Sequence, residues 1–166
     1  MSKNVLVVID MQNDFIDGAL GTKEAEAIIE NVYQVIQSFE GEVVFTRDTH
    51  FENYADTQEG KKLPIPHCIK GTNGWQINSK LKKLIKPETK IFDKITFGST
   101  ELTEYLKNNK ELEKVTLAGL CTDICIISNA LLIKANLPEV EIEVLENCCA
   151  GVTPESHINA LNAMKM

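Results

Sequence analysis

The chain predicts an α/β domain: a mostly parallel sheet with helices on both faces, three layers in all. Three observations carry this expectation. Short apolar, β-branched runs alternate with stretches of helical period along the whole sequence. The first run, Asn4–Asp10, is continuously apolar up to its closing carboxylate, as in a parallel strand buried on both faces. Residues able to do chemistry follow directly on those runs: Asp10 after the first, Lys94 at the end of a middle one, Cys125 just beyond a later one. In open α/β sheets ligands bind outside the carboxyl ends of the strands.

The elements follow in order. Asn4–Asp10 is an apolar run closed by a carboxylate, read as the first strand. From Thr22 to Phe39, Ala25, Ile28, Ile29, Val32, Val35, Ile36 and Phe39 recur at helical spacing, and Gly41 is the stop. Glu42–Arg47 is a second strand. Phe51–Trp75 has no period and holds several prolines and glycines, so it reads as a long functional loop. Ile77–Ile85 predicts a short helix, Lys90–Lys94 a strand and Ser99–Asn108 a helix. Val115–Leu120 and Glu141–Glu146 are strands separated by a helix from about Thr122 to Ala135. Thr153-Pro154 supplies a cap and a first-turn proline for a last helix, Glu155–Met164, with no closing strand after it. No repeat or linker divides residues 1–166, which read as one domain.

Composition narrows the function. Of the 166 residues 43% are hydrophobic and 25% charged, the balance of an ordinary globular chain. A formal charge of −7 and a pI near 5.0 speak against a nucleic-acid surface and against anionic lipid. No apolar run reaches the length of a membrane span. The first strand begins at about Asn4, leaving no room for a secretory leader, so a cytoplasmic place is expected. Five cysteines, two of them adjacent (Cys148, Cys149), suit free thiols better than a disulfide framework.

The segment Lys114–Ile127 carries the clearest chemistry. A strand meets Gly119, the chain turns, and Cys125 falls in the first turn of the next helix. A helix N-terminus favours a thiolate, and its N–H groups can bind an oxyanion. The same segment also fits a small buried thiol at a strand–helix junction. With Asp10 as base and Lys94 as cation, Cys125 would complete a nucleophile-activation set. Without the thiol, Asp10 and Lys94 read as a structural ion pair. A second cluster follows the second strand. Asp48 and His50 stand two apart and point the same way on extended chain, and His67 lies in a proline-stiffened segment. One carboxylate and two imidazoles suit Zn²⁺, Mn²⁺ or Fe²⁺. Glu59 could complete the set, and Glu52 is a weaker candidate. Alone, these are also ordinary polar loop residues. His157 reads as a surface residue, Cys148 and Cys149 as packing.

Together these motifs resemble the isochorismatase-like cysteine hydrolases, and among them the nicotinamidases. The resemblance runs through Val8-Ile-Asp10-Met-Gln-Asn-Asp14-Phe15, Asp48-Thr-His50, Pro66-His67-Cys68, Lys94, Phe97 and Gly119-Leu-Cys-Thr122-Asp123-Ile-Cys125. It implies a Rossmann-like hydrolase fold and a catalytic triad of Asp10, Lys94 and Cys125. It also implies a cis peptide before Cys121 and an oxyanion hole from the N–H groups of Cys121 and Cys125. The metal ligands it implies are Asp48, His50, His67 and Glu59, with zinc favoured over manganese or iron. A small amide as substrate and a homo-oligomer are implied as well. The sequence departs from the pattern at Pro64, where nicotinamidases usually carry a tryptophan. The chain's one tryptophan is Trp75, so an aromatic clamp would have to come from Phe15, Trp75 and Phe97. Cys121 replaces the family's alanine. These departures bear on the substrate more than on the chemistry. Two other readings stay open: a metal–water hydrolase with Cys125 a bystander, and a small-molecule binder without catalysis.

Overall fold

The computed structural model describes residues 2–165. Five strands form one sheet: β1 (Asn4–Ile9), β2 (Glu42–Asp48), β3 (Ile91–Lys94), β4 (Lys114–Leu120) and β5 (Glu141–Ala150). They lie in the order β3-β2-β1-β4-β5, and every pair is parallel. The helices are α1 (Asn13–Ile16), α2 (Lys23–Ala27), α3 (Ile29–Ser38), α4 (Gln58–Lys62), α5 (Ser79–Lys82), α6 (Thr100–Asn108), α7 (Ile127–Asn136) and α8 (Pro154–Met164).

The central strand β1 is apolar from Val5 to Ile9 because each face of the sheet has its own core. Val5, Val7 and Ile9 of β1 pack with Leu102, Leu106, Ile126 and Ile133 on one side. Leu6 and Val8 pack with Val32, Ile36, Phe45 and Leu81 on the other. That is the three-layer arrangement the continuous first run predicts.

Several elements differ from their expected bounds, among them α5, which spans only Ser79–Lys82 of the expected Ile77–Ile85. The helix predicted over Thr22–Phe39 is two helices. Thr22 caps α2 by accepting from the Ala25 N–H, and Ile28 interrupts the ladder while keeping a right-handed backbone, φ −86° and ψ −11°. The apolar stripe therefore stays on the core across the break. β5 continues to Ala150, past the expected end at Glu146. Its register against β4 shifts between Leu117 and Gly119, and Cys149 and Ala150 then pair with Gly119 and Leu120. The long loop holds a 3₁₀ turn, Tyr54–Asp56, and α4, whose start is capped by the Thr57 hydroxyl accepting from Gly60 N–H.

Strand register brings the chemistry together. Asp48 lies beside Lys94 on β2 and β3, and Ile9 lies beside Gly119 on β1 and β4. Asp10 and the turn after β4 are thus neighbours. Gly119 has φ +126°, and a Cβ there would stand 2.0 Å from the Ile9 carbonyl oxygen. Only glycine permits that approach. Asp10 itself has φ +49°, which turns the chain sharply at the end of β1.

Candidate active site

Asp10, Lys94 and Cys125 meet at the carboxyl edge of the sheet, all three buried. Lys94 Nζ is 2.6 Å from Asp10 Oδ2 and 3.4 Å from Cys125 Sγ, and it donates to the Thr96 carbonyl at 3.3 Å. The other Asp10 oxygen accepts from the Thr46 hydroxyl at 2.7 Å. Burial pushes the Asp10 carboxyl above the usual range, against the pull of Lys94. Burial opposes the Lys94 charge, yet Asp10, Cys125 and Asp48 outweigh it and hold the ammonium.

The thiol corrects one expectation. A helix start should lower the Cys125 pKa, but burial first and the Asp10 charge second push it well above normal, with Lys94 only partly opposing. Burial and the Asp10 charge thus favour the thiol over a free thiolate. Its alkylation by iodoacetamide, followed by peptide mass spectrometry, should therefore keep rising from pH 6 to 9, approaching tenfold per unit. A rate already level above pH 6 would indicate a depressed thiol pKa instead.

The turn carrying the thiol is built by contacts the sequence does not announce. The Leu120–Cys121 peptide is cis, as the resemblance implies. Thr122–Ile126 forms a π-helical turn, and α7 begins only at Ile127, so Cys125 precedes the α-helix. The N–H groups of Ile124 and Ile126 both donate to the Cys121 carbonyl. Buried Asn129 donates to the Cys125 carbonyl at 2.8 Å and to that of Phe97 at 3.1 Å, and accepts from Ser99 N–H at 2.9 Å. It ties the nucleophile turn to the loop after β3. His157 is not the plain surface residue expected. It is half-buried, with Nδ1 2.6 Å from the Thr122 hydroxyl, while Asp123 accepts from Val152 N–H at 3.0 Å. Both contacts lash the turn to the start of α8. Cys148 and Cys149 are buried, in line with packing.

The second cluster forms a possible metal site. One donor atom from each of Asp48, His50, Glu59 and His67 lies within 4.8 Å of all the others. His50 Nε2 is 3.6 Å from Glu59 Oε1, and His67 Nε2 is 3.5 Å from Asp48 Oδ2 and 3.6 Å from Glu59 Oε1. Metal–ligand bonds of about 2.0–2.2 Å in a tetrahedron put ligand atoms roughly 3.3–3.6 Å apart, so the spacing fits a small divalent ion. The fourth pair, His50 Nε2 and Asp48 Oδ2, stands at hydrogen-bond length, 2.9 Å. His67 Nδ1 donates to the Ile65 carbonyl at 2.8 Å, which leaves Nε2 as the ligating nitrogen. Hydrogen bonds from the two imidazoles hold the Asp48 carboxyl well below the usual range despite its burial. Asp48 Oδ1, 3.9 Å from Lys94 Nζ, joins the two clusters. Glu52 is exposed and stands outside the set.

Both clusters open into one cavity of about 440 Å³. Asp48, Glu59, His67, Cys121 and Cys125 line it, and Phe15 and Phe97 contribute to its walls. Trp75, expected as part of an aromatic clamp, does not line it. The Arg47 guanidinium stacks 3.7 Å over its ring, and the indole N–H donates to the Thr49 hydroxyl at 2.9 Å. Those partners fix the indole in the packing beneath β2.

Residues 4–166 match the Isochorismatase domain family. The chain belongs to the isochorismatase family. It is 32% identical to an uncharacterised isochorismatase-family protein, PncA, of Bacillus subtilis (strain 168), across 96% of this chain and 93% of that one. The solved structure of nicotinamidase/pyrazinamidase PncA from Bacillus subtilis superposes with a TM-score of 0.85 at 29% identity, covering 98% of this chain and 94% of that one. The pyrazinamidase of Pyrococcus horikoshii, solved in complex with zinc, superposes with a TM-score of 0.83 at 28% identity over 98% and 94%. Among the described residues of this isochorismatase-family chain, no helix is long and apolar enough to cross a membrane.

Proposed function

We propose that this isochorismatase-family enzyme is a cysteine-dependent hydrolase of small amides, of the nicotinamidase kind. The observation that carries the reading is Lys94 Nζ, held 2.6 Å from Asp10 and 3.4 Å from the Cys125 sulfur at the foot of a cavity. Asp10 takes the Cys125 proton as the sulfur attacks the amide carbonyl. It then returns that proton to the departing nitrogen. Lys94 opposes the effect of burial on the Asp10 carboxyl and holds the sulfur in line. The N–H groups of Cys121 and Cys125 face the developing oxyanion. Asp10 then takes a proton from the water that cleaves the thioester and passes it to the departing sulfur.

A divalent ion held by Asp48, His50, His67 and Glu59 would supply Lewis acidity beside the thiol. Zinc is favoured by two imidazoles at tetrahedral spacing and by the zinc complex of the Pyrococcus horikoshii pyrazinamidase. The reading includes a cytoplasmic place, supported by five free cysteines, and a homo-oligomer, as the resemblance implies.

The test is ammonia release from nicotinamide, pyrazinamide and a panel of primary amides, with intact-mass detection of an acyl adduct on Cys125. Release that disappears on alkylation of Cys125 is expected. Release that survives complete alkylation rejects the reading.

A further inference from the structure

The space above the thiol is larger and more apolar than the smallest amides require. A cavity of about 440 Å³ falls in the range that encloses a drug-sized ligand. A carboxamide on one six-membered ring fills a minor part of it. Its apolar walls are Phe15, Leu20, Leu63, Ile95, Phe97 and Ile124, of which Phe15 packs against His67. Leu63, Ile95 and Phe97 stand at 36%, 68% and 45% exposure. Three large exposed apolar side chains lining one cavity gain from being covered. Gln58 and Lys62, a turn apart on α4, supply the polar edge. The one indole that could clamp a small flat ring is held under Arg47 instead.

The other end of the site is closed. Asp10 has no exposed surface and Lys94 only 4%. The proton for the departing nitrogen comes from Asp10, so the nitrogen faces this closed end, with room for hydrogens and not for a chain. The acyl substituent must then lie toward the open, apolar end.

We propose that the preferred substrates are primary amides whose acyl part carries an extended apolar group, seated along Leu20, Leu63, Ile95 and Phe97. The inference rests on the amide-hydrolase reading above and narrows its substrate class. The reaction balances simply. The thiol and the amide give a thioester and ammonia, and the thioester and water give a carboxylic acid and the thiol.

The test uses the metal-loaded protein and linear primary amides from acetamide to octanamide, with kcat/KM from ammonia release. Each methylene that reaches the wall should raise kcat/KM up to about fourfold, the equivalent of ~0.8 kcal/mol per buried CH₂, until the cavity is filled. Within one variant, Ile95→Asp or Leu63→Asp, the octanamide-to-acetamide ratio should fall at least tenfold. A ratio cancels any loss of active protein, and Ile95→Ser provides a milder change at an exposed position. Hydrolysis of acetamide or nicotinamide with flat or falling kcat/KM along the series overturns the inference while sparing the amidase reading. An unchanged ratio in both wall variants overturns the placement of the chain. No ammonia from any amide overturns both.

Discussion

In Asp10→Asn, ammonia release is expected to fall about 10³- to 10⁴-fold, close to the floor set by Cys125→Ala. Asn cannot take the Cys125 proton, and the thiol is held protonated by its burial. Asp10, Lys94 and Cys125 act as one unit, so the double variant should be hardly slower than either single one. Stability separates what activity does not. Cys125→Ala removes one sulfur from a small buried site. Asp10→Asn leaves the Lys94 ammonium, 4% exposed, with Asp48 at 3.9 Å as its remaining carboxylate contact. Breaking a buried pair by removing one partner costs about 3–5 kcal/mol. For a domain of this size that is a fall in Tm of roughly 6–20 °C. Thermal unfolding and ammonia release on the same samples check both halves. An Asp10→Asn protein that retains more than a tenth of the activity would remove Asp10 from the mechanism.

Some residues of this pair of clusters could be read from sequence because strand ends are legible. A parallel strand must be apolar along its length, so a polar residue where the run stops marks the carboxyl edge. Asp10, Asp48 and Lys94 all stand there, and β-sheet register does the rest. Glu59 lies in the long loop without a period, where the sequence offers it as a fourth ligand but not the geometry that brings it in. It reaches the imidazoles because the Thr57 cap fixes α4, with Gly60 against the Tyr54 carbonyl where a Cβ would stand 1.9 Å away. Asn129 and His157 were not legible. Each acts on a turn distant in the chain, and helix periodicity says nothing about hydrogen bonds across elements. The sign of the Cys125 shift was missed for a related reason. A helix terminus is a local feature, whereas the burial and the Asp10 charge that override it are products of packing. Trp75 shows the converse error. An aromatic near a motif suggests a ligand clamp, but Arg47, two strand positions before Thr49, had already claimed its face.

Metal removal should be the other large loss. Dialysis against a chelator, or His67→Ala, is expected to lower kcat/KM at least about 100-fold, since losing even an outer partner of a ligand costs 10- to 100-fold. Alkylation of Cys125 should continue in the metal-free protein, because its sulfur is held by Lys94 and Asp10 and not by the four ligands. Affinity for the metal should also fall as pH falls, and the order of protonation explains why. Asp48 stays ionised, held low by its hydrogen bonds from His50 and His67. His67 gains a proton as pH falls. Burial opposes its charge, but the hydrogen bond to Asp48 and the charge of Glu59 raise its pKa above the ordinary value. A protonated imidazole cannot ligate, so below that raised pKa the apparent affinity falls about tenfold per unit. Metal content after equilibrium dialysis from pH 8 to 5 measures this directly. The combination also divides the two hydrolytic mechanisms. Activity lost to the chelator and lost again to alkylation requires both clusters, as the shared contact of Asp48 with Lys94 suggests. Activity lost to the chelator alone, with alkylated protein fully active, would transfer the nucleophile from Cys125 to water at the metal.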